Sequence, residues 1–272
     1  RACTTKWPPR TGSTCPPGCC TRAWHYTMRL VVTEDYASLS RTGAGMVAQL
    51  IAARPGATVV PATGDTPMGI YAELAARRGR GELDTSRLRV FQLDEYLDVG
   101  PEDPRSLYGW LLRSFVLPLG IPEGNVVRLH GDVADVEAAC AAYERAVEDA
   151  GGFDLAILGL GPNGHLGFNE PPSEAGAPTR AVDLTEASVE SNAKYWGDRH
   201  RVPRGAVTAG MARLLSARHV LLVVSGAHKS DILRRTLTGP PTPDVPASLL
   251  QQAANVTVLA DRAAWPFGPL QA

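Results

Sequence analysis

The chain has 272 residues, of which 44% are hydrophobic and 20% are charged, a composition that excludes disordered and fibrous architectures. Its 27 basic and 28 acidic residues give a net charge of −1, so the overall charge does not favour nucleic acid or an anionic membrane as a partner. No apolar run reaches the roughly 18 residues that a membrane-spanning helix needs.

The first 27 residues differ from the rest of the chain. They contain two Pro-Pro pairs and no helical or alternating periodicity, and they hold four cysteines: Cys3, Cys15, Cys19 and Cys20. A zinc site is disfavoured because Cys19 and Cys20 are adjacent, unlike the usual spaced ligand pairs. We expect residues 1–27 to be a disordered tail or a non-native upstream segment, with Met28 as the natural start. Cys140 is then the single remaining thiol, which fits a reducing, cytoplasmic compartment.

From Met28 onwards, patterns typical of strands and helices alternate. The β-branched runs predict strands at residues 30–32, 57–61, 88–93, 126–129, 155–160, 219–224 and 256–259. Helical patterns lie at residues 36–53, 67–78, 106–117, 136–150 and 228–238, with a further organised stretch at 207–215.

This alternation predicts one α/β domain over residues 28–272, with an open, mostly parallel sheet and helices on both faces. The run at 155–160 shows no polar alternation, as expected for a strand that is covered on both sides. Ligands of such sheets bind beyond the carboxyl ends of the strands, so the loops after the strands should carry the chemistry.

The loop after the second predicted strand has the features of a phosphate site. Gly64 permits a tight turn, Thr66 can cap the following helix, and Pro67 suits the first helical position. A helix N-terminus with free N–H groups and hydroxyls binds phosphate readily. No Gly-Lys-Ser/Thr follows, so this is not a Walker loop, and an ordinary helix cap is the alternative.

Two further loops carry ionisable groups. Asp94 and Glu95 are adjacent at a strand end and should point to different sides, so that one can face the cleft. His165 and Glu170 follow the fifth strand in a glycine-rich loop and form a natural general acid/base pair. Lys229, just inside a later helix, could supply charge to a bound phosphate.

Several segments in this order resemble the glucosamine-6-phosphate deaminase (isomerase) family. They are Ala-Thr-Gly-Asp-Thr-Pro (62–67), Leu-Asp-Glu-Tyr (93–96), Asn-Gly-His-Leu-Gly-Phe-Asn-Glu-Pro (163–171), Val-Thr-Ala-Gly-Met (207–211) and Ser-Gly-Ala-His-Lys (225–229). The related 6-phosphogluconolactonases typically read Asp-Glu-Arg in the second segment and Thr-Ala-Ser after the Gly-His, so the deaminases match better. The resemblance implies a Rossmann-like fold of the sugar-phosphate isomerase type.

The resemblance also implies an enzyme, assigned here to the hydrolase class, that converts glucosamine 6-phosphate to fructose 6-phosphate and ammonia in amino sugar metabolism. By this resemblance His165 opens the sugar ring, Glu170 orients its imidazole, and Asp94 moves a proton from C2 to C1. Asn163 stands where some relatives have Asp, and it can still hydrogen-bond the imidazole without adding charge. The reaction would need neither a metal nor an organic cofactor.

The resemblance places a small amino sugar phosphate in contact with seven residues: Thr63, Gly64, Asp65, Thr66, Gly164, Lys194 and Lys229. Lys194 stands where the family usually has Arg, which keeps the charge but loses the bidentate fork. Apart from Lys6, the chain's only lysines are Lys194 and Lys229, and all other basic residues are arginines. The placement of these two lysines favours a single small anion as the ligand. We expect the protein to be a monomer or a homo-oligomer.

The resemblance also bears on regulation and on alternative functions. Arg180 matches one position of the basic cluster of allosteric relatives, but Val182 stands where the other, a lysine, would be. We therefore expect no activation by an acetylated sugar phosphate, and a mobile lid over residues 180–204. The alternatives are a 6-phosphogluconolactonase-like hydrolase, a galactosamine-6-phosphate deaminase and, less favoured, a non-catalytic sugar-phosphate sensor.

Overall fold

The computed structural model describes residues 28–269, so the expectations for residues 1–27 lie outside the described part of the chain. The strands are β1 Arg29–Thr33, β2 Thr58–Pro61, β3 Arg89–Phe91, β4 Asp94–Tyr96, β5 Val126–Val127, β6 Leu155–Gly159, β7 Arg180–Asp183, β8 Gly205–Thr208, β9 Val220–Val224 and β10 Val256–Asp261. The helices are α1 Tyr36–Ala53, α2 Met68–Gly79, α3 Leu107–Leu111, α4 Val136–Asp149, α5 Glu186–Trp196, α6 Met211–Leu215 and α7 Ser230–Thr238.

Seven strands form one parallel sheet in the order β1-β10-β9-β6-β2-β3-β5. Within this sheet Val60 of β2 lies opposite Ala156 of β6. The predicted fold class, an open parallel sheet with helices on both faces, is therefore confirmed.

Alternate residues of the central strands face two separate apolar cores. In β2, Val59 packs with residues of α1 and α2, whereas Val60 packs with residues of α4, α6 and α7. Ile157 and Leu158 of β6 divide in the same way. Because both faces are buried, these strands contain no polar alternation, which is the pattern that the sequence shows.

Two predicted helices begin or continue differently from the expectation. Thr66 does not cap α2: the helix starts at Met68 after Pro67, and its first turn has no side-chain cap. The predicted helix at 106–117 consists of the short α3, capped by Ser106, followed by a π-helical turn at Leu112–Val116. Each difference affects the end of an element and leaves the order of the elements unchanged.

A second sheet, which the sequence analysis missed, lies beside the first. It contains β4, β8 and β7 in an antiparallel arrangement, with Asp94 of β4 opposite Thr208 of β8. Its strands have only three or four residues each, and β4 and β7 contain charged residues, so neither length nor hydrophobicity distinguishes them from loops. Tyr96 of β4 packs against the rings of Phe168 and Trp196.

The order of the strands determines where a ligand can bind. From β2 the chain moves outward to β3 and β5, then returns to β6 on the other side of β2. The carboxyl ends of β2 and β6 thus flank a topological switch point, the usual location of a crevice in open α/β sheets. The predicted lid segment contains β7 and α5, and its mobility stays a prediction. Within residues 28–269, no helix combines the length and the apolar character needed to cross a membrane.

Candidate active site

A cavity of about 630 Å³ opens at the carboxyl edge of the parallel sheet, over β2 and β6. The predicted site residues that line it are Thr63, Gly64, Asp65, Thr66, Asp94, His165, Lys194 and Lys229. The structure therefore brings together loops that are far apart in the sequence. Asn163, Gly164 and Glu170 are not lining residues.

The loop after β2 is held in place by a tyrosine from α1. Gly64 has a φ of +98°, a conformation that glycine adopts without strain. The Tyr36 hydroxyl donates to the Asp65 carbonyl at 3.2 Å and accepts the Gly69 N–H of α2 at 2.9 Å. Sequence reasoning did not identify Tyr36, which itself lines the cavity.

The two adjacent carboxylates at β4 have different surroundings. Glu95 accepts hydrogen bonds from the backbone N–H groups of Tyr96, Leu107 and Tyr108 and from the Gln92 amide. It thereby connects β4 to the start of α3 and has a structural role. Asp94 lines the cavity, and the two carboxylates point to different sides, as adjacent residues of a strand do.

Asp94 is buried, and no hydrogen bond to its Oδ1 atom offsets the loss of hydration. Its side chain is among the buried polar groups, and its Oδ1 atom has no hydrogen-bond partner. Burial, together with the negative charge of Glu95, raises the pKa of Asp94 from 3.8 to about 8. A carboxylate in this state is a much stronger base than an exposed one, and it titrates close to neutral pH.

His165 is held on one side by Glu170 and Ser188. The distance from His165 Nδ1 to Glu170 Oε2 is 3.4 Å, and the distance from Nδ1 to Ser188 Oγ is 3.1 Å. The Ser188 hydroxyl donates its proton to Glu170, so its oxygen is free to accept one from the imidazole. This network assigns the ring proton to Nδ1 and leaves Nε2 to exchange a proton with a ligand.

Glu170 is kept ionised by the groups around it. Its Oε2 accepts hydrogen bonds from the Asn163 amide at 2.7 Å and from the Thr185 hydroxyl at 3.0 Å. Although burial favours the protonated form, the hydrogen bonds and the charge of His165 lower the pKa of Glu170 to about 2. Glu170 is thus a fixed negative charge behind the imidazole, whereas Asp94 is a titrating one.

Two glycines leave room for the reactive side chains. A Cβ atom at Gly161 would lie 2.1 Å from His165 Cδ2, so only glycine lets the imidazole occupy this position. Gly167 has a φ of +58°, and a Cβ atom there would come within 3.4 Å of Asp94 Oδ2 and 2.9 Å of Thr208 Oγ1. The glycine-rich loop after β6 therefore leaves space for both His165 and the buried Asp94.

Lys194 and Lys229 line the same cavity, and we call the part that they line the lysine end. Lys194 Nζ is 2.5 Å from Asp65 Oδ2. Lys229 is half-buried, and burial, together with the positive charge of Lys194, lowers its pKa. The loop that leads to Lys229 is fixed by Asp261, which accepts hydrogen bonds from Ser225 Oγ and the Gly226 N–H. A small anion between the lysines would relieve their mutual repulsion.

The family follows from a comparison with known proteins. The family model described as glucosamine-6-phosphate isomerases/6-phosphogluconolactonase matches residues 34–259 of the chain. The chain belongs to this glucosamine-6-phosphate isomerase/6-phosphogluconolactonase family. Among family members, the chain is 39% identical to a glucosamine-6-phosphate deaminase of Halothermothrix orenii, over 87% of this chain and 98% of the relative. It is 35% identical to one of Clostridium botulinum, over 87% and 97% of the two chains.

Solved structures of the glucosamine-6-phosphate isomerase/6-phosphogluconolactonase family have the same architecture. A monomeric glucosamine-6-phosphate deaminase superposes with a TM-score of 0.85 at 34% identity, covering 87% of this chain and 98% of its own. A 6-phosphogluconolactonase from Trypanosoma brucei reaches a TM-score of 0.73 at 21% identity, covering 88% and 98%. The second likeness shows the shared fold alone.

Gly164, a predicted substrate-binding residue, does not line the cavity. Gly164 was expected to contact the substrate, but both of its backbone groups are used within the protein. Its N–H donates to the Gly161 carbonyl, and its own carbonyl accepts from Ala247. Gly164 has a φ of +90° and shapes the turn that carries His165, which explains the need for glycine there.

Ser188 and Thr185 are two further site residues that sequence reasoning missed. Both belong to the start of α5, where Thr185 caps the helix by accepting from the Ser188 N–H. A Thr followed three residues later by Ser reads as an ordinary helix start, so no local signal links either residue to Glu170. No group of three or more His, Cys, Asp or Glu side chains in residues 28–269 could hold a metal ion.

Proposed function

We propose that this chain is a glucosamine-6-phosphate deaminase that converts glucosamine 6-phosphate and water to fructose 6-phosphate and ammonia. The observation that carries the proposal is one cavity lined by Asp94, with its unpartnered carboxylate oxygen, and by His165, backed by ionised Glu170. The curated relatives of this chain at 39% and 35% identity are glucosamine-6-phosphate deaminases, which supports the same substrate here.

The first step opens the sugar ring. His165 Nε2 takes the proton of the C1 hydroxyl and returns it to the ring oxygen as the C1–O bond to the ring breaks. Glu170 and Ser188 keep the imidazole proton on Nδ1, so that Nε2 is the atom that exchanges a proton. The product of this step is the open aldose, whose C2 hydrogen is acidified by the carbonyl at C1.

Asp94 then performs the isomerisation. Its carboxylate removes the proton from C2 and delivers it to C1, passing through an enolamine. The resulting carbon–nitrogen double bond at C2 takes up water, and ammonia leaves as the ketone forms. A base with a pKa of about 8 suits this task, because the strength of a general base rises with its pKa while it must still be ionised near neutrality.

The phosphate is placed at the lysine end of the cavity. Thr63, Gly64 and Thr66 form one wall, and Lys194 and Lys229 supply the positive charge. Binding energy from a remote phosphate can position C1 and C2 against Asp94 and His165, which lowers the barrier for proton transfer. Because the proposed reaction consumes water, we assign the enzyme to the hydrolase class. The description of the family instead names the isomerisation.

Location and assembly belong to the same proposal. Cys140 is a free, buried thiol in the described part of the chain, as expected for a cytoplasmic enzyme. We propose that residues 28–272 act as one domain, either as a monomer or as a homo-oligomer. The solved relative with a TM-score of 0.85 is a monomeric deaminase, which supports the monomer. Analytical ultracentrifugation at micromolar concentration distinguishes the two states.

The test measures ammonia released from glucosamine 6-phosphate, with galactosamine 6-phosphate as the competing epimer. Hydrolysis of 6-phosphogluconolactone is followed in parallel. We expect ammonia and fructose 6-phosphate in equal amounts from the glucosamine substrate and no lactone hydrolysis above the spontaneous rate. Lactone hydrolysis without ammonia release would instead establish the lactonase, and binding without turnover of either would indicate a sensor.

Replacing Asp94 tests whether its carboxylate is the base. Asp94→Asn keeps the size of the side chain but removes the group that accepts the C2 proton, so we expect turnover to fall by at least about 10³-fold. Binding of inorganic phosphate should persist, because the lysine end of the cavity is unchanged. An Asp94→Asn variant with substantial activity would show that another group is the base.

A further inference from the structure

An ion pair closes the lysine end of the cavity across two distant elements. Lys194 of α5 and Asp65 of the loop after β2 are 129 positions apart in the sequence, yet Nζ and Oδ2 are 2.5 Å apart. Both residues line the cavity, and their side chains are 58% and 65% exposed. Because the pair is solvent-exposed, it is weak and can exchange partners readily.

The neighbouring lysine has no such partner. Lys229 takes part in no ion pair within residues 28–269, whereas Lys194 is neutralised by Asp65. Both lysines line the same cavity, so one ligand there can contact both cations. The pKa of Lys229 is lowered by burial and by the charge of Lys194. An incoming phosphate therefore meets one cation that is available and one that is occupied by an internal carboxylate.

We propose that Asp65 is an internal competitor for the phosphate-binding cation, and that it sets the affinity of the site for phosphorylated ligands. In the empty site Lys194 pairs with Asp65. When phosphate binds, Lys194 transfers to the phosphate, and Asp65 turns to solvent. This inference rests on the proposed function, which places the substrate's phosphate at these lysines.

The competition weakens the binding of substrate and product alike. Every phosphorylated ligand must first displace the carboxylate, and it also approaches a residue of like charge. The product carries the same phosphate, so its release is assisted when Lys194 returns to Asp65. The residue thus favours turnover over tight binding at substrate concentrations above KM.

The experiment measures the dissociation constant of inorganic phosphate by titration calorimetry. Asp65→Asn should bind phosphate about two- to fivefold more tightly than the unaltered chain, since exposed ion pairs of this kind have small coupling energies. Asp65→Ser serves as a second variant in case the first one folds poorly. Lys194→Met should bind phosphate more weakly than the unaltered chain.

Glu190→Gln is the matched control for a change of overall charge. Glu190 lies on the same helix as Lys194, its side chain is 69% exposed, and it does not line the cavity. Its replacement should leave phosphate affinity within experimental error. An unchanged or weaker affinity in both Asp65 variants would overturn the inference. So would equal tightening in Glu190→Gln, or undiminished binding in Lys194→Met.

The phosphate titration is independent of turnover. If ammonia release is absent but Asp65→Asn still binds phosphate more tightly, the proposed reaction fails while the competition stands. If ammonia release is present and Asp65→Asn shows no gain, the reaction stands and the competition fails. Where both hold, KM for glucosamine 6-phosphate should fall in Asp65→Asn by the same factor as the phosphate dissociation constant.

Discussion

Asp94 and Glu95 show how strongly the surroundings determine the chemistry of a residue. Glu95 accepts four hydrogen bonds, whereas Asp94 Oδ1 accepts none and its pKa is raised to about 8 by burial and by Glu95. Since the proposed base must be ionised in the free enzyme, kcat/KM should rise with pH and level off above about 8. A pH–rate profile between 5 and 10 checks this, and a flat profile through this range would contradict the assignment.

The pH dependence of protein stability is a second measure of the pKa of Asp94. Unlike a pH–rate profile, it involves no ionisation of the substrate. Below about pH 3.8 the carboxyl is protonated in both the folded and the unfolded chain. As the pH rises towards about 8, the unfolded chain has lost a proton that the folded chain still holds, so the free energy of unfolding falls. Asp94→Asn removes this loss, and its melting temperature relative to the unaltered chain should therefore increase from pH 5 to pH 8.

Ser188 is predicted to act through His165. It bridges the imidazole and Glu170, and Ser188→Ala would remove a hydrogen bond to a charged group, worth about 1.5–3 kcal/mol. We expect kcat to fall by roughly tenfold or more, with a smaller change in KM, because the lysine end of the cavity remains intact. Steady-state kinetics at the optimal pH measures both constants.

Ser216→Ala is the control for the loss of a serine hydroxyl. The Ser216 hydroxyl bonds only to the Arg213 carbonyl at an exposed position away from the cavity. Its removal should leave both kinetic constants unchanged. If the two alanine variants behave alike, Ser188 has no positioning role.

The sequence supported the prediction of Asp94 and His165 because each follows a predicted strand at the ligand-binding edge of the sheet. Ser188 could not be predicted in this way. It contacts Glu170 from a helix that starts 16 residues later in the chain, and only the tertiary fold brings them together. The contact of Gly164 with the substrate stays a prediction: a glycine next to His165 can serve either a ligand or the turn, and in the structure its backbone groups bond within the protein.

At the scale of elements, α5 connects the two ends of the site. Ser188, in its first turn, contacts His165, and Lys194, in its last turn, pairs with Asp65 in the loop after β2. Six residues of helix span about 9 Å, so this one helix sets the distance between Ser188 and Lys194. Under the proposed function, it thereby sets the spacing between the reacting carbons and the phosphate. The orientation of α5 should therefore affect catalysis and binding together.

Trp196 holds the end of α5 against the second sheet. Its ring packs edge-on against Tyr96 at 5.3 Å, and the Arg105 guanidinium stacks on it at 4.3 Å. Trp196→Ala should cost about 3–5 kcal/mol of stability, and it should lower kcat and raise KM together as α5 loosens. Hydrogen exchange of the α5 amides, measured well below the melting temperature, should become faster.

Trp265→Ala provides a control of similar size. Trp265 is also buried, but it packs in the core formed with α4, α6 and α7, apart from the cluster that contains Trp196, and it does not line the cavity. We expect a comparable loss of stability with kinetic constants close to those of the unaltered chain. Equal kinetic effects of the two substitutions would show that general destabilisation explains the result at Trp196.

The parallel sheet was predictable because its strands are buried on both faces and are separated by helices of regular periodicity. The second sheet was not, since Asp94-Glu95-Tyr96 reads as a polar loop and its pairing partner, β8, lies more than a hundred residues further along. Strands of three or four residues that include charged side chains lack the hydrophobic pattern on which prediction from sequence depends.

At the scale of the whole molecule, the remaining question is whether a second ligand regulates the first site. By the resemblance described above, Arg180 occupies one position of the basic cluster that allosteric relatives have. Its guanidinium donates to Asn169 Oδ1, the Pro178 carbonyl and Ser173 Oγ, so it holds β7 against the loop that carries Glu170. Val182, two residues further on, offers no charge to an anion.

An effector anion at this place would have to break those hydrogen bonds and would gain a single cation in return. The coupling free energy available to an acetylated sugar phosphate is therefore small, and an effector with no differential affinity cannot shift a population. We expect hyperbolic kinetics with glucosamine 6-phosphate, a Hill coefficient of about 1, and no activation by N-acetylglucosamine 6-phosphate. Sigmoidal initial rates that become hyperbolic on adding that compound would show that the protein has a second, regulatory site.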